Sequence, residues 1–367
     1  MTTITLQQWP RPLSTTRGTI LDAALAAGVP YPHSCQSGDC GSCKSRLLCG
    51  EVTMDGCAPE ALTATERADG LILACRARPI TDIEVAWLSA ATAERVCPLR
   101  RVRATVIAKE AVTHDITRLR LAVKGSPLAF AAGQFAQLTF HGRPTRPYSM
   151  ANHPGEAALE FHIRRVPNGV VSSYVADTVQ IGDTLKLQGP YGTACLRDTD
   201  DRPLLLAAGG SGLAPMQSIL LAALAGPQPR PIYLYHGVRD LCDLYEVELL
   251  TTLAKSSHIR YTPVLSMPAQ ATPYCTGFVH EAIAADFPTL EGFAVYLAGP
   301  PPMVNAATAV ALGLGAPREA VYADPFSATP EEPQHRTGLL SALASLGALV
   351  SQAIRQPRRR LVSQEVA

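Results

Sequence analysis

The sequence lacks the features that mark several large classes of protein. No stretch reaches the ~20 apolar residues with which a helix spans a bilayer. The first residues, Met-Thr-Thr-Ile-Thr-Leu, contain no basic segment followed by an apolar one. We therefore expect no transmembrane helix and no signal peptide, and a cytoplasmic location. An excess of one charge is also missing, because 32 Lys and Arg balance 31 Asp and Glu. That balance argues against a dedicated nucleic-acid-binding protein.

Charged residues are few, at 17%, whereas hydrophobic residues make up 47% of the chain, which excludes long disorder for most of it. A length of 367 residues favours two or three domains. The ten cysteines are too many for chance core filling and too few for a small secreted disulfide scaffold. In a reducing compartment, clustered cysteines indicate a metal site before they indicate disulfides.

Three patterns follow one another along the chain. Residues 1–90 predict a compact α+β unit, with a helix from Asp22 that ends at Gly28, a hairpin around Gly50, and strands at 71–75 and 82–85. After a linker at 91–100, residues 101–199 alternate apolar with polar side chains and predict a small antiparallel barrel. Residues 200–326 alternate buried strands with helices, which is typical of a parallel α/β sheet.

The cysteine spacing indicates an iron–sulfur site. Cys35, Cys40 and Cys43 form a C-x4-C-x2-C loop, and Cys75 follows an apolar strand, which is the plant-type [2Fe–2S] ligand spacing. The glycines between the loop cysteines allow the chain to fold closely around a cluster. A second short cysteine pair, which a zinc site usually has, is missing. Cys49 and Cys57 are alternatives for the fourth ligand, and Cys75 is favoured because it returns on a separate strand.

With these residues the chain resembles a known family. Residues 1–88 look like a plant-type ferredoxin domain, and the motifs after them look like the ferredoxin–NADP reductase superfamily. The order, with the ferredoxin first, is similar to that of the reductase components of bacterial multicomponent oxygenases. The resemblance covers residues 1 to about 326 and implies three domains: a β-grasp ferredoxin, an antiparallel FAD-binding barrel and a parallel-sheet NAD-binding domain.

Two short motifs in the barrel region suggest a flavin site. The first, at the end of a predicted strand, consists of Arg146, Pro147, Tyr148 and Ser149. Arginine can hold a pyrophosphate, tyrosine can lie against the flavin ring, and serine can donate to a ring nitrogen. A polar turn is the alternative. The second motif opens a predicted helix, whose N-terminus can bind phosphate, with Gly169, Val171 and Ser172. In the family, R-x-Y-S followed by G-x-x-S binds flavin, and the second motif favours FAD over FMN. The resemblance places Tyr148 and Ser149 at the reacting ring.

Two further polar residues of this region are candidates for flavin contact. His162 and Arg164 lie on the polar face of a predicted strand. A solvated face of the barrel is the alternative for both.

A glycine-rich turn follows the first buried strand of the third region. It has the form G-x-G-x-x-P and contains Gly209, Gly210, Ser211, Gly212 and Pro215. Such a turn, before a helix, resembles the phosphate-binding turn of dinucleotide folds, and an incidental βα turn is the alternative. Gly237 and Arg239 follow the next strand, where the adenosine ribose is expected. The nearby Asp240 and Asp243 suit a free ribose 2′-hydroxyl, so NADH is predicted over NADPH.

The resemblance also assigns the end of the third region. Gly299, Pro300 and Met303 follow a late strand and are expected near the nicotinamide. The family usually has a cysteine before this Gly-Pro, whereas this chain has Ala298, so no thiol role in hydride transfer is expected. Phe326 is expected to approach the flavin from the nicotinamide side, with Asp324 as a polar neighbour. Core packing is the alternative for Phe326.

These assignments predict an NADH-dependent reductase that passes electrons from FAD to a [2Fe–2S] cluster and on to a partner. NADH gives up two electrons as a hydride, the cluster accepts one at a time, and flavin can do both. The partner is expected to be a terminal oxygenase, either a ring-hydroxylating dioxygenase or a hydroxylase, or an intermediate ferredoxin. A reductase of deoxysugar biosynthesis and a redox-sensing or scaffold protein are the alternatives.

Residues 327–367 form an extension beyond the family motifs. Apolar residues recur at helical spacing from Leu339 to Ile354, and arginines follow at 355 and 358–360. One interpretation is an amphipathic helix within 337–360 whose basic end contacts the membrane surface or the oxygenase. That interpretation leaves a peripheral position at the inner face of the membrane open. A helix packed on the chain's own surface or in a dimer is the alternative.

Overall fold

The computed structural model describes residues 1–16, 18–33, 35–39, 41–59, 61–88, 97–197, 200–227, 229–255 and 258–326. Residues 1–327 belong to one compact unit. Its sheets agree with the predicted fold class: a mixed sheet, an antiparallel barrel and a parallel sheet follow one another along the chain. The predictions for the extension at 327–367 fall outside the described residues. No helix in the described part of the chain is both long and apolar enough to cross a membrane.

The first sheet has the strand order β2-β1-β7-β3-β5, with β1 and β7 parallel. Its elements are β1 (Thr2–Leu6), β2 (Leu13–Thr15), α1 (Ile20–Ala26), β3 (Lys44–Cys49), β4 (Val52–Met54), α2 (Ala64–Ala68), β5 (Leu71–Leu73), β6 (Ala77–Pro79) and β7 (Ile83–Trp87). Helix α1 begins where the Thr19 hydroxyl accepts from the Asp22 amide and the Asp22 carboxylate accepts from the Thr19 amide. Its buried face packs into one core with the strands.

The predicted hairpin around Gly50 is wrong. Strand β3 already has β5 on one edge and β7 on the other, so it offers no free edge to β4. Strand β4 pairs instead with β6 in a separate two-stranded sheet. Gly50 has φ +87°, and a Cβ there would overlap the carbonyl oxygen of Asp82. The turn therefore sends the chain from one sheet into another.

The second sheet is a six-stranded antiparallel barrel with the order β11-β10-β13-β8-β9-β12. Its elements are β8 (Arg100–Ala111), β9 (Ile116–Val123), β10 (Phe135–Thr139), β11 (Arg146–Ser149), β12 (Ala158–Arg164), α3 (Val170–Asp177) and β13 (Thr184–Tyr191). A bridge between Met150 and Phe161 joins the two end strands and nearly closes the barrel. Alternate residues of the strands point inward and form its core.

The third sheet is parallel, with six strands in the order β17-β16-β15-β14-β18-β19. Its strands are β14 (Leu204–Gly209), β15 (Ile232–Val238), β16 (Ile259–Leu265), β17 (Cys275–Thr276), β18 (Ala294–Gly299) and β19 (Val321–Pro325). Its helices are α4 (Leu213–Leu224), α5 (Val247–Ala254), α6 (Val279–Asp286) and α7 (Pro301–Gly313), with 3₁₀ turns at Gly210–Gly212, Leu241–Asp243 and Arg318–Ala320. The central strands β14 and β18 are buried throughout, as expected of a sheet covered on both faces.

The strand order changes direction between β14 and β18. In open α/β sheets the crevice at the carboxyl ends of such neighbouring strands is the usual ligand site. The last residues of these strands, Gly209 and Gly299, lie against each other there: a Cβ on Gly299 would stand 2.8 Å from the Gly209 carbonyl oxygen. The fold therefore places both predicted nicotinamide motifs at one crevice.

Candidate functional site

The described cysteines of the predicted cluster loop lie together. The amide of Cys75 donates to Sγ of Cys43 at 3.5 Å, and the amide of Asp39 donates to Sγ of Cys35 at 3.4 Å. A hydrogen bond from Cys75 lowers the pKa of the Cys43 thiol, although burial and the nearby Cys35 oppose that change. Amides aimed at sulfur stabilise thiolates, so these residues fit an iron–sulfur cluster. Cys40 lies outside the described residues.

The cluster loop is tightly wrapped. Gly38 has φ +93°, and a Cβ on it would stand 2.5 Å from the carbonyl oxygen of Gly56. The amide of Ala58 donates to the Gly38 carbonyl at 3.1 Å, which ties the loop to the segment that carries Cys57. Cys57 itself is half-buried, and burial raises the pKa of its thiol. Cys49 is exposed at the end of β3. Of the three candidates for the fourth ligand, Cys75 is the one in hydrogen-bond contact with Cys43.

The first flavin motif forms strand β11, which pairs with β10. Ser149 lies opposite Phe135, and Arg146 lies opposite Leu138. Ser149 is buried, and Tyr148 is half-buried. Burial raises the pKa of the Tyr148 hydroxyl, which therefore stays protonated. The strand presents a cation, a ring and a hydroxyl in succession along β11.

The second flavin motif forms the start of α3. A Cβ on Gly169 would stand 2.6 Å from Oγ of Ser172 and 3.0 Å from the Val166 carbonyl oxygen, so a larger residue would displace the Ser172 hydroxyl. The Ser172 hydroxyl accepts from the Val166 amide at 3.0 Å and donates to the Gly169 carbonyl at 3.4 Å. Ser172 therefore shapes the turn, and the unbonded amides at the start of an eight-residue helix suit a phosphate. The guanidinium of Arg143, three residues before β11, stacks on Tyr174 of this helix at 4.6 Å.

His162 and Arg164 face the parallel-sheet region from β12. His162 is buried, with Nδ1 3.1 Å from the Tyr245 hydroxyl and Nε2 3.2 Å from the Glu160 carboxylate. A solvated position is therefore wrong for His162. Arg164 donates from Nε to the Asp115 carboxylate at 2.7 Å. Its Nη1 lies 3.2 Å from where a Cβ on Gly210 would be, so its guanidinium lies beside the glycine-rich turn.

The glycine-rich turn forms one wall of a cavity of about 180 Å³. A Cβ on Gly212 would overlap the carbonyl oxygen of Ala298, and one on Gly209 would stand 2.8 Å from Sδ of Met303. The missing side chains create a concave backbone surface, which a phosphate group needs for close approach. Pro215 lies in the first turn of α4, where no amide bond is lost. The predicted residues that line the cavity are Arg164, Gly209, Gly210, Gly237, Arg239, Asp243, Pro300 and Met303, whereas Ser211, Gly212 and Pro215 lie outside its lining.

The two acidic residues beyond β15 have different surroundings. The Asp240 carboxylate accepts from the Leu241 amide at 2.7 Å and caps the 3₁₀ turn. Asp243 lines the cavity and uses one oxygen to accept from the Asp240 amide at 3.0 Å. Its other oxygen lies 3.6 Å from Nδ1 of His114. Asp243 is therefore the better placed of the two to meet a ribose hydroxyl.

The closing segment returns to the same crevice. Asp324 is buried and lies opposite Ala298 in the parallel pair β18–β19. The amide of Phe326 donates to the Gly299 carbonyl at 2.8 Å. Its ring is half-buried and packs against the core cluster that includes Ala298. The aromatic side chain thus stands at the carboxyl end of the sheet, in contact with its core.

Comparison with known proteins matches all three regions. Residues 11–79 match the 2Fe-2S iron-sulfur cluster binding domain, residues 103–195 the oxidoreductase FAD-binding domain, and residues 206–309 the oxidoreductase NAD-binding domain. The reductase component of the naphthalene 1,2-dioxygenase/salicylate 5-hydroxylase systems of Ralstonia sp. is 38% identical, over 85% of this chain and 94% of that protein.

The chain belongs to the family of ferredoxin–NAD(P)⁺ reductase components.

Other relatives agree with this assignment. The reductase subunit of an aromatic O-demethylase from Amycolatopsis sp. is 42% identical, over 78% of the reductase described here and 87% of its own length. Among solved structures, the cytochrome P450 reductase GcoB of Amycolatopsis superposes with a TM-score of 0.79 at 37% identity, covering 90% of this chain and all of that one. The ferredoxin reductase of carbazole 1,9a-dioxygenase gives 0.71 at 29% identity, covering 89% and 98%. The reductase is therefore an NAD(P)H-dependent oxidoreductase with [2Fe–2S], FAD and NAD-binding domains.

Sequence reasoning missed a contact between the barrel and the parallel sheet of the reductase. The buried Tyr245 ring lies between two imidazoles, 5.2 Å from His162 and 5.5 Å from His236. Beside it, Glu246 forms an ion pair with Arg118 of β9. Glu246 has φ +58°, an unusual backbone conformation for glutamate. Two adjacent loop residues, a tyrosine and a glutamate, form no recognisable sequence motif. Only the structure therefore shows that they join the barrel to the parallel sheet.

Proposed function

We propose that this chain is an NADH-dependent reductase that supplies electrons to an oxygenase partner through FAD and a [2Fe–2S] cluster. One observation carries the proposed order of transfer: the barrel contacts both other regions at their predicted cofactor motifs. Gln137 of β10 bonds to Gln36, next to Cys35, at 3.3 Å. Arg164 of β12 reaches the turn at Gly210. A flavin on the barrel would thus have the cluster loop on one side and the dinucleotide crevice on another.

The side chains proposed to hold the cofactors provide binding and orientation. When bound, FAD would supply hydride acceptance from a nicotinamide and one-electron donation to a cluster. Arg146 would bind the pyrophosphate, and Tyr148 and Ser149 would hold the ring. Cys35, Cys40, Cys43 and Cys75 would ligate the irons. Phe326 would cover the flavin from the nicotinamide side, with Asp324 behind it. None of these residues needs to exchange a proton with substrate.

The preference for NADH rests on the charges beside the cavity. Asp243 lines it, and a carboxylate there favours a ribose hydroxyl and repels a 2′-phosphate. Two cations also border the cavity: Arg239, which is exposed just after β15, and Arg164, which is paired with the Asp115 carboxylate at 2.7 Å. Initial rates with NADH and NADPH test this preference. Equal or higher rates with NADPH would contradict it.

The proposed partner is a terminal oxygenase, either a ring-hydroxylating dioxygenase or a hydroxylase. Support comes from the relatives, whose names place them in naphthalene dioxygenase, phenol hydroxylase and aromatic O-demethylase systems. From sequence alone, residues 337–360 remain a candidate contact for the oxygenase or for a membrane surface. Deletion of residues 330–367 tests that contact. If coupling to the oxygenase and recovery with membranes are both unchanged, the contact does not exist.

An anaerobic titration with NADH tests the proposed function directly. The visible bands of flavin and cluster should bleach together and take up about three electrons per chain, two for FAD and one for the cluster. Bleaching of the flavin bands alone would contradict transfer to the cluster. Sustained reduction of an added acceptor over many turnovers would exclude a redox sensor or scaffold.

A further inference from the structure

The loop that leads into the cluster cysteines is bonded to the barrel through His33. This residue stands two positions before Cys35 and is 6% exposed. Its Nδ1 lies 2.8 Å from the Tyr31 carbonyl, and its Nε2 lies 3.1 Å from the Gly192 amide. A carbonyl only accepts and an amide only donates, so the ring is neutral and carries its proton on Nδ1. Nε2 therefore accepts a hydrogen bond from the barrel.

The backbone of His33 adds further bonds across the same boundary. Its carbonyl oxygen accepts from the amide and from the hydroxyl of Thr193, each at 3.0 Å. Ring and carbonyl together hold two consecutive residues that follow β13. The imidazole also stands edge-on to Tyr191, with centroids 6.3 Å apart. One side chain of the first region is thus bonded on one side to its own chain and on the other to the barrel.

The bonded segment of the barrel leads directly to the proposed flavin strand. Gly192 has φ +95°, and a Cβ there would stand 3.1 Å from the Phe135 ring. Phe135 stacks on Tyr191 with centroids 5.7 Å apart. Phe135 is also the β10 residue that lies opposite Ser149 of β11. Packed groups therefore connect His33 to the flavin motif without interruption.

A second contact reaches a position two residues further along the same strand pair. Gln36, with φ +59°, accepts from Nε2 of Gln137 at 3.3 Å. Gln137 lies opposite Pro147 of the flavin motif. Nε2 of Gln36 is buried and has no hydrogen-bond partner among the described residues, so this contact alone is incompletely bonded. At His33, by contrast, both ring nitrogens and the carbonyl oxygen have hydrogen-bond partners.

The geometry points to His33 as the positioning residue that holds the cluster loop at a fixed distance from the flavin strand. This inference rests on the proposed function, in which electrons cross that boundary. Electron transfer falls steeply with distance, and the protein's contribution is to hold the cofactors in place. Loss of the Nε2 acceptor removes the bond to Gly192 and loosens the contact. The expected result is a slower second step, with the first step between nicotinamide and flavin unchanged.

Three variants separate positioning from folding. His33→Phe keeps the ring volume and removes both ring nitrogens. His33→Gln restores an acceptor near the position of Nε2. His258→Phe makes the same chemical change at the amino end of β16, away from the crevice, as a control. Rapid-mixing absorbance measures flavin reduction by NADH, rapid-freeze EPR measures the reduced cluster, and hydrogen exchange measures protection of the amides at 192 and 193.

His33→Phe is expected to slow cluster reduction roughly tenfold, as a small misplacement of reacting groups does, with unchanged flavin reduction. Its amides at 192 and 193 should exchange faster, whereas His33→Gln should restore most of the rate and the protection. If exchange at these amides is unchanged in His33→Phe, or is faster without any slowing of cluster reduction, the inference is overturned. If NADH does not reduce the flavin of the unaltered protein, the proposed function fails instead.

A milder variant covers the case in which His33→Phe does not fold. Thr193→Val removes only the hydroxyl that bonds to the His33 carbonyl and keeps the side-chain volume. A slowing of cluster reduction of about two- to threefold is expected, because one neutral hydrogen bond is lost. Faster exchange at residue 193 with an unchanged rate of cluster reduction would overturn the inference.

Discussion

The α-carbon of Gly212 faces the carbonyl oxygen of Ala298 so closely that a Cβ at position 212 would overlap it. Ala298 is the penultimate residue of β18, and Gly212 is the last residue of the 3₁₀ turn after β14. The contact therefore joins the two strands at the point where the strand order changes direction. The width of the crevice depends on the absence of one methyl group.

Substitution Gly212→Ala is expected to force the turn away from β18. Overpacking of this kind costs about 1–3 kcal/mol of unfolding free energy. It should also raise the KM for NADH, because the turn no longer approaches the phosphates closely. Urea unfolding and NADH titration measure the two effects. Gly313→Ala is the matched control, since nothing lies within 4 Å of its Cβ position. Equal stability of the two variants would contradict the argument.

The choice among the candidates for the fourth cluster ligand can be tested by serine substitution. Cys75→Ser is expected to abolish the cluster, seen as loss of its visible bands and of bound iron. Cys49→Ser and Cys57→Ser should retain both, because these residues do not contact Cys43 through a hydrogen bond as Cys75 does. Iron retained in Cys75→Ser and lost in Cys57→Ser would transfer the assignment to Cys57.

Arg164 is expected to contribute to dinucleotide binding rather than to stability. Arg164→Gln removes the guanidinium beside Gly210, and the loss of one charged hydrogen bond should raise the KM for NADH about tenfold. The turnover number should change little. Arg165→Gln is the control, since Arg165 is exposed and bonds to Asp177 on the surface at 2.8 Å. A similar rise in KM for both variants would assign the effect to general charge.

Stability is expected to fall as the pH drops from about 6.5 towards 4, in part because of His236. This residue is fully buried, and burial lowers its pKa from 6.5 to about 4. Between pH 6.5 and about 4, His236 is protonated in the unfolded chain and neutral in the folded chain. Each pH unit in this window therefore costs about 1.4 kcal/mol of unfolding free energy, and above it the term vanishes.

The contribution of His236 can be isolated by urea unfolding of His236→Gln at several pH values. The variant should lose less stability than the unaltered protein across the window from 6.5 to about 4. His141→Gln changes an exposed histidine and should retain the full loss. Parallel stability curves for the unaltered protein and His236→Gln would refute the assignment.

The fold class was predictable because each region has a distinct pattern. Strand β14 and strand β18 are wholly apolar, as buried parallel strands must be, while β9 and β12 alternate. The hairpin around Gly50 was not predictable from local sequence. A glycine between two short strands is typical of a hairpin, but here the partner strands β5 and β7 already take both edges of β3.

The candidate site was predictable where spacing itself expresses chemistry. The loop cysteines must all reach one small cluster, and the glycine-rich turn must come close to a phosphate. Both requirements restrict which residue types can stand at which spacing. The contacts between regions have no such pattern. His33 bonds to residues 159 and 160 positions away, and Tyr245 to His162 at a separation of 83. The residues next to His33 and Tyr245 in the sequence give no sign of these distant partners. The sequence alone therefore predicted that His162 faces flavin or solvent.

The bonds that His33 makes to the barrel end mainly on main-chain groups, the amides of Gly192 and Thr193. Amides are present in every barrel of this shape, whatever its side chains. The barrel also contributes a residue requirement, because Gly192 has φ +95° and a Cβ there would stand 3.1 Å from the Phe135 ring. The iron–sulfur module is therefore received by two backbone amides beside a required glycine, and its own share of the contact lies in the short segment from Tyr31 to Gln36.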